Sequence, residues 1–461
     1  MTAALILLVA ALLLPWWAAS PIRGVYLIFG AALVFEIFPM NFPDSLTDNV
    51  PLFLNLNNSN SAGFDGLPIT PAEILIMVAV IIWIVAGRNA GTLQKPRPLM
   101  LGAYAAYIAV VFGAEMRGLI SGGDFNISLW ELRPQIYGFI LFVLAASLVR
   151  ERKHLLTLGA IFFAAVGFKA MLGFYRYFVT LGGDLGTRES ILSHEESYFL
   201  GLFLVGTIAV LLWYRRWRFA LPVLFLSPLV AVVILENRRR VGMLALWLGL
   251  ALLVSLAIRY EATMRKVLVP VTVVAVVIVV GFMAANWNHG YGTIGQIVRP
   301  VHSLFEPDPR DALSNAYRDA ENANILISYQ SSPVIGMGFG RPMIYVYPMA
   351  DISNIYPLWN FIPHNTLLWI GMRMGSIGYI VLFGLLGTAL LEATWQMRTR
   401  SDPLLRGVAA FAIIAIVAEL MVGWGDLQLE NYRNMIFLGT MLGVINALPR
   451  IPDAVPRPHD A

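Results

Sequence analysis

The fold class this sequence predicts is an all-α polytopic membrane protein, and three observations predict it. Of 461 residues, 58% are hydrophobic and 13% charged, whereas soluble domains carry about a quarter charged residues. Mean hydropathy is +0.71. The apolar residues gather into 12–13 runs, each near the roughly 20 residues a membrane-spanning helix requires. A β-barrel would show short strands of alternating polarity instead.

The runs place helices near Ala3–Ala19, Gly24–Met40, Pro71–Ala86, Leu99–Glu115, Glu131–Val149, Leu155–Thr180 and Ser197–Trp213. They continue at Phe219–Leu235, Val241–Ile258, Val267–Ala285, Thr366–Leu391, Gly407–Trp424 and Asn434–Leu448. The first run lacks a charged leader region and a small-residue cleavage site, so it reads as a membrane helix, not a removed signal. Residues 1–461 form a single integral membrane domain. Residues 286–363 form one large outer loop, between the fourth-last and third-last segments, and 449–461 a cytoplasmic tail.

Basic residues orient the bundle. Arg88, Lys95 and Arg97 share one loop, Arg150, Arg152 and Lys153 the next but one, and Arg215, Arg216 and Arg218 a third. Arg259, Arg265 and Lys266, then Arg398, Arg400 and Arg406, complete the series. Lys and Arg collect on the cytoplasmic side of membranes, so every second loop is cytoplasmic and the alternate ones face outward. The +4 net charge is thereby topological, and nucleic-acid binding has no support. With no cysteine, disulfides, thiolate metal sites and cysteine nucleophiles are excluded. The early outer loop, with Asn55, Asn57, Asn58, Asn60 and Asp65, reads as an irregular exposed connection, and the tail after Arg450 as disordered.

The stretch from Val301 to Gly378 is the long polar passage of the chain. Hydrocarbon offers its backbone no hydrogen-bond partners, so it protrudes or lines a cavity. Asp308-Pro309 has the form of an N-cap with proline in the first turn. A helix through about Tyr329 follows, with Leu313, Tyr317, Ala320 and Asn324 on one side. It reads as an amphipathic helix lying over the membrane surface.

Three groups on the outer side have residue types suited to chemistry. Glu236-Asn237-Arg238-Arg239-Arg240 is squeezed between two hydrophobic helices and breaks the charge trend. Long side chains snorkel to lipid phosphates, but guanidinium forks on the outer face also suit a bound phosphate. Arg318 stands on the loop helix, where it is either a cavity cation or a solvated charge paired with Asp319 or Glu321. His364 precedes a helix, and its near-neutral titration suits a general base.

These residues resemble the motifs of the O-antigen ligase and polymerase family. His364-Asn365, nine residues, Gly375, two residues and Gly378 are similar to its His-[Asn/Ser/Gln]-x9-Gly-x-x-Gly motif. Arg240-Val-Gly-Met-Leu244 looks like its Arg-x3-Leu motif. Arg318, followed by Pro333 and the Gly336-Met-Gly338-Phe-Gly340 run, is similar to its loop signature, with Asn322 where an aromatic residue is expected. The resemblance implies a metal-independent glycosyltransferase of GT-C type, without cofactor, in the bacterial inner membrane with its site facing outward. It implies a donor glycan on undecaprenyl pyrophosphate and a glycan or lipid A-core acceptor. Arg240 and Arg318 would then hold the pyrophosphate, and His364 would activate the acceptor hydroxyl. The shared motifs do not separate a ligase from a polymerase. A transporter or flippase of lipid-linked sugars is the competing class; it predicts polar groups through both membrane halves and a midplane site.

Further candidates extend the substrate-binding set. Lys169 and Arg176, seven apart on one helix, share a face, with Glu419 as a possible buried partner in a structural ion pair. Arg133, beside Glu131, either extends the cationic pocket or snorkels. His194 and Glu195, with Glu196, form a second acid–base group or grip acceptor sugars. Gly338 and Gly340, with Gly336, either let backbone N–H groups reach phosphate or sugar or make an ordinary flexible turn. Asn365 follows the motif histidine.

Overall fold

The computed structural model describes residues 3–38, 47, 50–56, 68–89, 94–186, 188, 190–289, 292–353 and 356–454. Among them lie α1 (Ala3–Ala18), α2 (Ile22–Val34), α3 (Pro71–Asn89), α4 (Pro98–Ile120) and α5 (Phe125–Leu148). Then come α6 (Arg152–Tyr175), α7 (Glu196–Ala209), α8 (Trp217–Glu236), α9 (Arg240–Tyr260) and α10 (Ala262–Ala285). The long loop carries α11 (Gly292–Phe305) and α12 (Pro309–Ser331). The chain returns through α13 (Thr366–Thr399), α14 (Pro403–Gly423) and α15 (Tyr432–Ala447). No strand occurs among the described residues. The protein is an all-α, multi-pass membrane protein.

All thirteen predicted runs contain a helix, and ten helices are long and apolar enough to span a membrane. The shorter three are α1, α2 and α15. Expected to reach Met40, α2 stops at Val34, because Glu36 turns inward to Lys169. The Asn- and Asp-rich run from 57 to 67 and the tail from 455 onward lie outside the described residues. Asn55, expected on an exposed connection, is buried and accepts from Arg133 Nη1 at 2.9 Å.

The centre of the bundle is α5 against α15. A Cβ on Gly439 would meet the Gly138 carbonyl oxygen at 2.1 Å, and one on Gly443 the Phe142 carbonyl at 2.7 Å. Glycines four apart let two membrane helices approach backbone to backbone, where dispersion drives association. The Gln135 side chain crosses this seam, accepting from Tyr107 at 2.7 Å and donating to the Leu429 carbonyl at 2.6 Å.

The long loop is strapped to the bundle at its α13 end. Gly375 interrupts α13 at φ 65°, ψ −162°. The break frees the Met372 and Arg373 carbonyls, which accept from the N–H groups of Met337 at 2.7 Å and Gly338 at 3.1 Å. The Ser376 and Ile377 N–H groups donate to the Pro333 and Val334 carbonyls at 2.8 and 3.2 Å. A Cβ at 375 would lie 2.3 Å from the Val334 carbonyl carbon, so this position requires glycine on both steric and φ grounds.

One buried ion pair closes the strap. Glu131 on α5 accepts from Arg373 Nε at 2.5 Å, Trp369 Nε1 at 2.8 Å and the Gly340 N–H at 2.6 Å. The Arg373 guanidinium also donates to the carbonyls of Gly338 at 3.1 Å, Arg341 at 2.6 Å and Phe361 at 2.6 Å. Both side chains are fully buried. Removing one member of such a pair leaves an uncompensated buried charge, which costs about 3–5 kcal/mol. Arg373→Ala is therefore expected to lower the thermal unfolding midpoint of the detergent-purified protein sharply, whereas an unchanged midpoint would show that the clasp does not hold the loop.

Candidate active site

The connection from α8 to α9 is three residues long, and it turns because Arg238 adopts φ 54°. Left-handed backbone is uncommon outside glycine and needs support. Asn237 supplies it. Its buried side chain donates to Ser197 Oγ at 2.8 Å and accepts from the Leu192 N–H at 2.9 Å. The turn is thus pinned to the chain entering α7, and Arg238, Arg239 and Arg240 all reach one cavity of ≈ 480 Å³.

Each arginine is held differently. Arg238 lies 3.9 Å from Glu236. Arg239 Nη2 donates to Ser190 Oγ at 3.2 Å and contacts His194 Nε2 at 2.6 Å. Since Arg239 only donates, Nε2 accepts, and the ring proton sits on Nδ1, facing Asp426 Oδ2 at 3.1 Å. Burial opposes the Asp426 charge, but His194, His364 and Arg239 outweigh it and hold its carboxyl well below the usual range. Arg240 donates to Ser303 Oγ at 3.3 Å and Asn315 Oδ1 at 3.1 Å, with Asp311 at 3.7 Å.

The roof is α11 and α12. Asp308 caps α12 by accepting from the Asp311 N–H at 2.7 Å. Arg299 on α11 grips Asp311 bidentately at 3.1 and 2.5 Å. Two turns further along α12, Arg318 lines the cavity and has no carboxylate or hydrogen-bond partner among the described residues. Its charge bears on both Arg240 and His364.

His364 closes the far wall. Its Nδ1 lies 3.1 Å from Glu321 Oε1, and its backbone N–H donates to Oε2 of the same carboxylate at 3.0 Å. Glu321 is buried. The Tyr317 ring meets the imidazole edge-on at 5.9 Å. Burial opposes the imidazolium, yet the Glu321 hydrogen bond and charge, with Asp426, raise the pKa above the ordinary histidine value. With Nδ1 committed to Glu321, Nε2 is the nitrogen left for a ligand.

Comparison with protein families finds that the O-antigen ligase model matches residues 229–383. Residues 229–383 are thus similar to this family's domain. The match runs from α8 into α13 and contains the three-arginine turn, both roof helices, the strap, His364, Gly375 and Gly378. His194 and Asp426 complete the cavity from outside the matched residues. No curated protein matches the chain.

Of the residues singled out in the sequence, this one cavity unites Arg238, Arg239, Arg240, Arg318, His364 and His194. Asn365 stands beside it as the cap of α13, accepting from the Leu368 N–H at 3.1 Å. The rest are engaged elsewhere. Arg133 pairs with Glu73 at 3.0 Å, and buried Arg176 donates to the Ile191 carbonyl at 3.2 Å. Lys169 meets Glu36 and, at 3.3 Å, Glu196, so its partner is not Glu419, which instead accepts from Asn434. Glu195 accepts from Arg433 at 3.1 Å. Gly338 and Gly340 spend their N–H groups on Arg373 and Glu131, and a Cβ at either would strike neighbouring backbone within 2.4 Å. They are close-packing positions, neither a flexible turn nor a phosphate cradle.

Sequence reading missed Glu321, Asp426, Arg299 and Asp311. Glu321 had one signal, its place one turn beyond Tyr317 on the cavity side of the loop helix. If the cavity cations receive an anion, inorganic pyrophosphate binds the purified protein, and Arg318→Ala weakens it by about 10- to 100-fold, the worth of one charge-assisted hydrogen bond. Calorimetric titration checks this; equal affinities would remove Arg318 from the anion site.

Proposed function

We propose that this chain transfers a glycan from undecaprenyl pyrophosphate to an acceptor hydroxyl, on lipid A core or on a growing glycan, at the outer face of the bacterial inner membrane. The observation that carries the reading is a cluster of arginines facing a carboxylate-held histidine across one cavity. Arg240 and Arg318 bind the pyrophosphate, flanked by Arg238 and Arg239. The acceptor hydroxyl gives its proton to His364 Nε2 as its oxygen bonds to the sugar's anomeric carbon. The bond from that carbon to the phosphate oxygen breaks, and the electron pair leaves with the lipid pyrophosphate.

Both halves of this step fit the local physics. The leaving group gains negative charge, and prepositioned guanidinium groups stabilise developing charge at no reorganisation cost. Glu321 holds the imidazole in one orientation, strengthens it as a base and stabilises the imidazolium once formed. Asp426, kept ionised, and His194 form a second polar wall, suited to acceptor hydroxyls. Lys169 and Glu419, the polar groups expected of a transport path, are occupied by internal partners.

Transfer from an undecaprenyl-pyrophosphate glycan to lipid A core, or laddered extension of the lipid-linked glycan, would distinguish ligase from polymerase. His364→Ala is expected to lower either activity by about 10²–10⁴-fold, the usual contribution of a general base. Arg240→Ala is expected to cost about 10²–10³-fold. Wild-type rates in both variants would defeat the mechanism.

The base must be neutral to act, so activity is lost as pH falls through the raised pKa of His364. The acid limb of kcat/KM therefore lies above the ordinary histidine value. Glu321→Gln removes the largest of the contributions that raise it and leaves Asp426 and the burial that lowers it, so the limb moves to lower pH while the rate falls. An unmoved limb would assign it to another group.

A further inference from the structure

A second cavity, of ≈ 590 Å³, opens at the end of the bundle opposite the long loop. It lies where α1 turns into α2, where α3 ends and where α5 turns into α6. Arg23, Arg150 and Lys153 line it, with Glu151 the one carboxylate among its described lining residues, and Arg150 Nε donates to the Ser147 carbonyl at 3.1 Å. Arg23 is held by the Trp16 carbonyl at 2.6 Å and stacks on the Trp16 ring at 4.9 Å. Lys153 lies 2.7 Å from Glu151, and its side chain is 70% exposed. Two helices, α2 and α6, begin at this cavity without a side-chain cap, and their N-terminal N–H groups add partial positive charge.

The deeper wall is different in kind. Ile22, Trp83, Ala86 and Leu148 make it apolar. The Trp83 indole N–H is buried there without a hydrogen-bond acceptor. A cationic rim at the helix ends above an apolar wall matches a phosphate joined to an acyl chain. Free phosphate would satisfy the rim and leave the wall bare.

We propose that this cavity binds one anionic phospholipid, its phosphodiester between Arg23, Arg150 and Lys153 and an acyl chain against Trp83 and Ala86. The site is remote from the loop-end cavity and does not depend on the transferase reading. It gives the bundle a specific lipid contact at the face where α1–α3 meet α6, with the basic residues serving a ligand as well as topology.

Native mass spectrometry of the full chain, titrated with phosphatidylglycerol, phosphatidylcholine or inorganic phosphate, tests it. The expected result is preferential retention of phosphatidylglycerol. Lys153→Gln, at an exposed position, should weaken it about fivefold, and Arg23→Gln with Lys153→Gln about thirtyfold, from roughly 1 kcal/mol per basic residue at an anionic surface. Ala86→Trp, which fills the apolar wall without altering charge, should abolish retention while leaving the unfolding midpoint in place. Equal binding of the two lipids, or wild-type retention in both Lys153→Gln and Ala86→Trp, would overturn the proposal. Displacement of the lipid by inorganic phosphate would overturn the acyl-chain half and leave a phosphate site.

Discussion

The Glu131–Arg373 pair is the constraint on which the loop end of this protein depends. Removing two charges from water is expensive, and their attraction repays it only when the remaining hydrogen-bonding groups are also satisfied. Here they are: one carboxylate collects an indole, a guanidinium and a backbone N–H, while the guanidinium reaches three carbonyls. The carbonyls belong to 338, 341 and 361, so a single side chain gathers both ends of an irregular segment. That segment leads into His364. The position of the imidazole is thus set from below by a group nine residues further along the chain.

Much of the bundle was legible in the sequence because hydrocarbon permits so few backbone solutions. Apolar length alone located all thirteen predicted runs. Legibility failed where a local signal had a distant cause. The π-helical ends of α6 and α7 and the early stop of α2 carry no such signal; Glu36 ends α2 by reaching Lys169, 133 residues away. The α11 helix, with Pro300 and a polar face, had no hydrophobic run to announce it. The glycines at 336, 338 and 340 read as a phosphate cradle or a flexible turn because the backbones pressing on them belong to α4, α13 and the residue before α5.

The same distinction divides the site residues. Arg238 to Arg240 stood out because they break the charge asymmetry of the loops, a rule that operates locally. Lys169 stood out for sharing a helix face with Arg176, Arg133 for its place beside Glu131 and Glu195 for its place beside His194, but only the fold supplies the partner that explains each. Those partners, Glu196, Glu73 and Arg433, turn candidate ligand groups into internal ion pairs. Glu321 failed in the opposite direction. Three residues after Arg318, it looked like that arginine's helical neighbour, whereas its carboxylate serves His364, 43 residues on. Of the arginines lining the cavity, Arg299 is gripped by Asp311, whereas Arg318 has no carboxylate or hydrogen-bond partner among the described residues. Crowded cations cost stability, which is the expected signature of a surface shaped for an anion.

Because Arg318 and Glu321 share α12, the proposed anion holder and the group that orients the base ride on one rigid element. Residues three apart on a helix stand about 5–6 Å apart at Cβ, so their separation is fixed by helix geometry and not by loop conformation. What the loop must supply is the placement of α12 as a body. Its first turn is gripped by Arg299 through Asp311. Its last turns are tied by Asn324, which accepts from the N–H groups of Val346 and Tyr347, and by Ser328, which accepts from that of Ile344. A shift of α12 would therefore withdraw Arg318 and release the histidine together. Coupling the two in one helix means that Arg318 cannot leave the cavity while the histidine keeps its carboxylate, although Arg238, Arg239 and Arg240 stay on the α8–α9 turn.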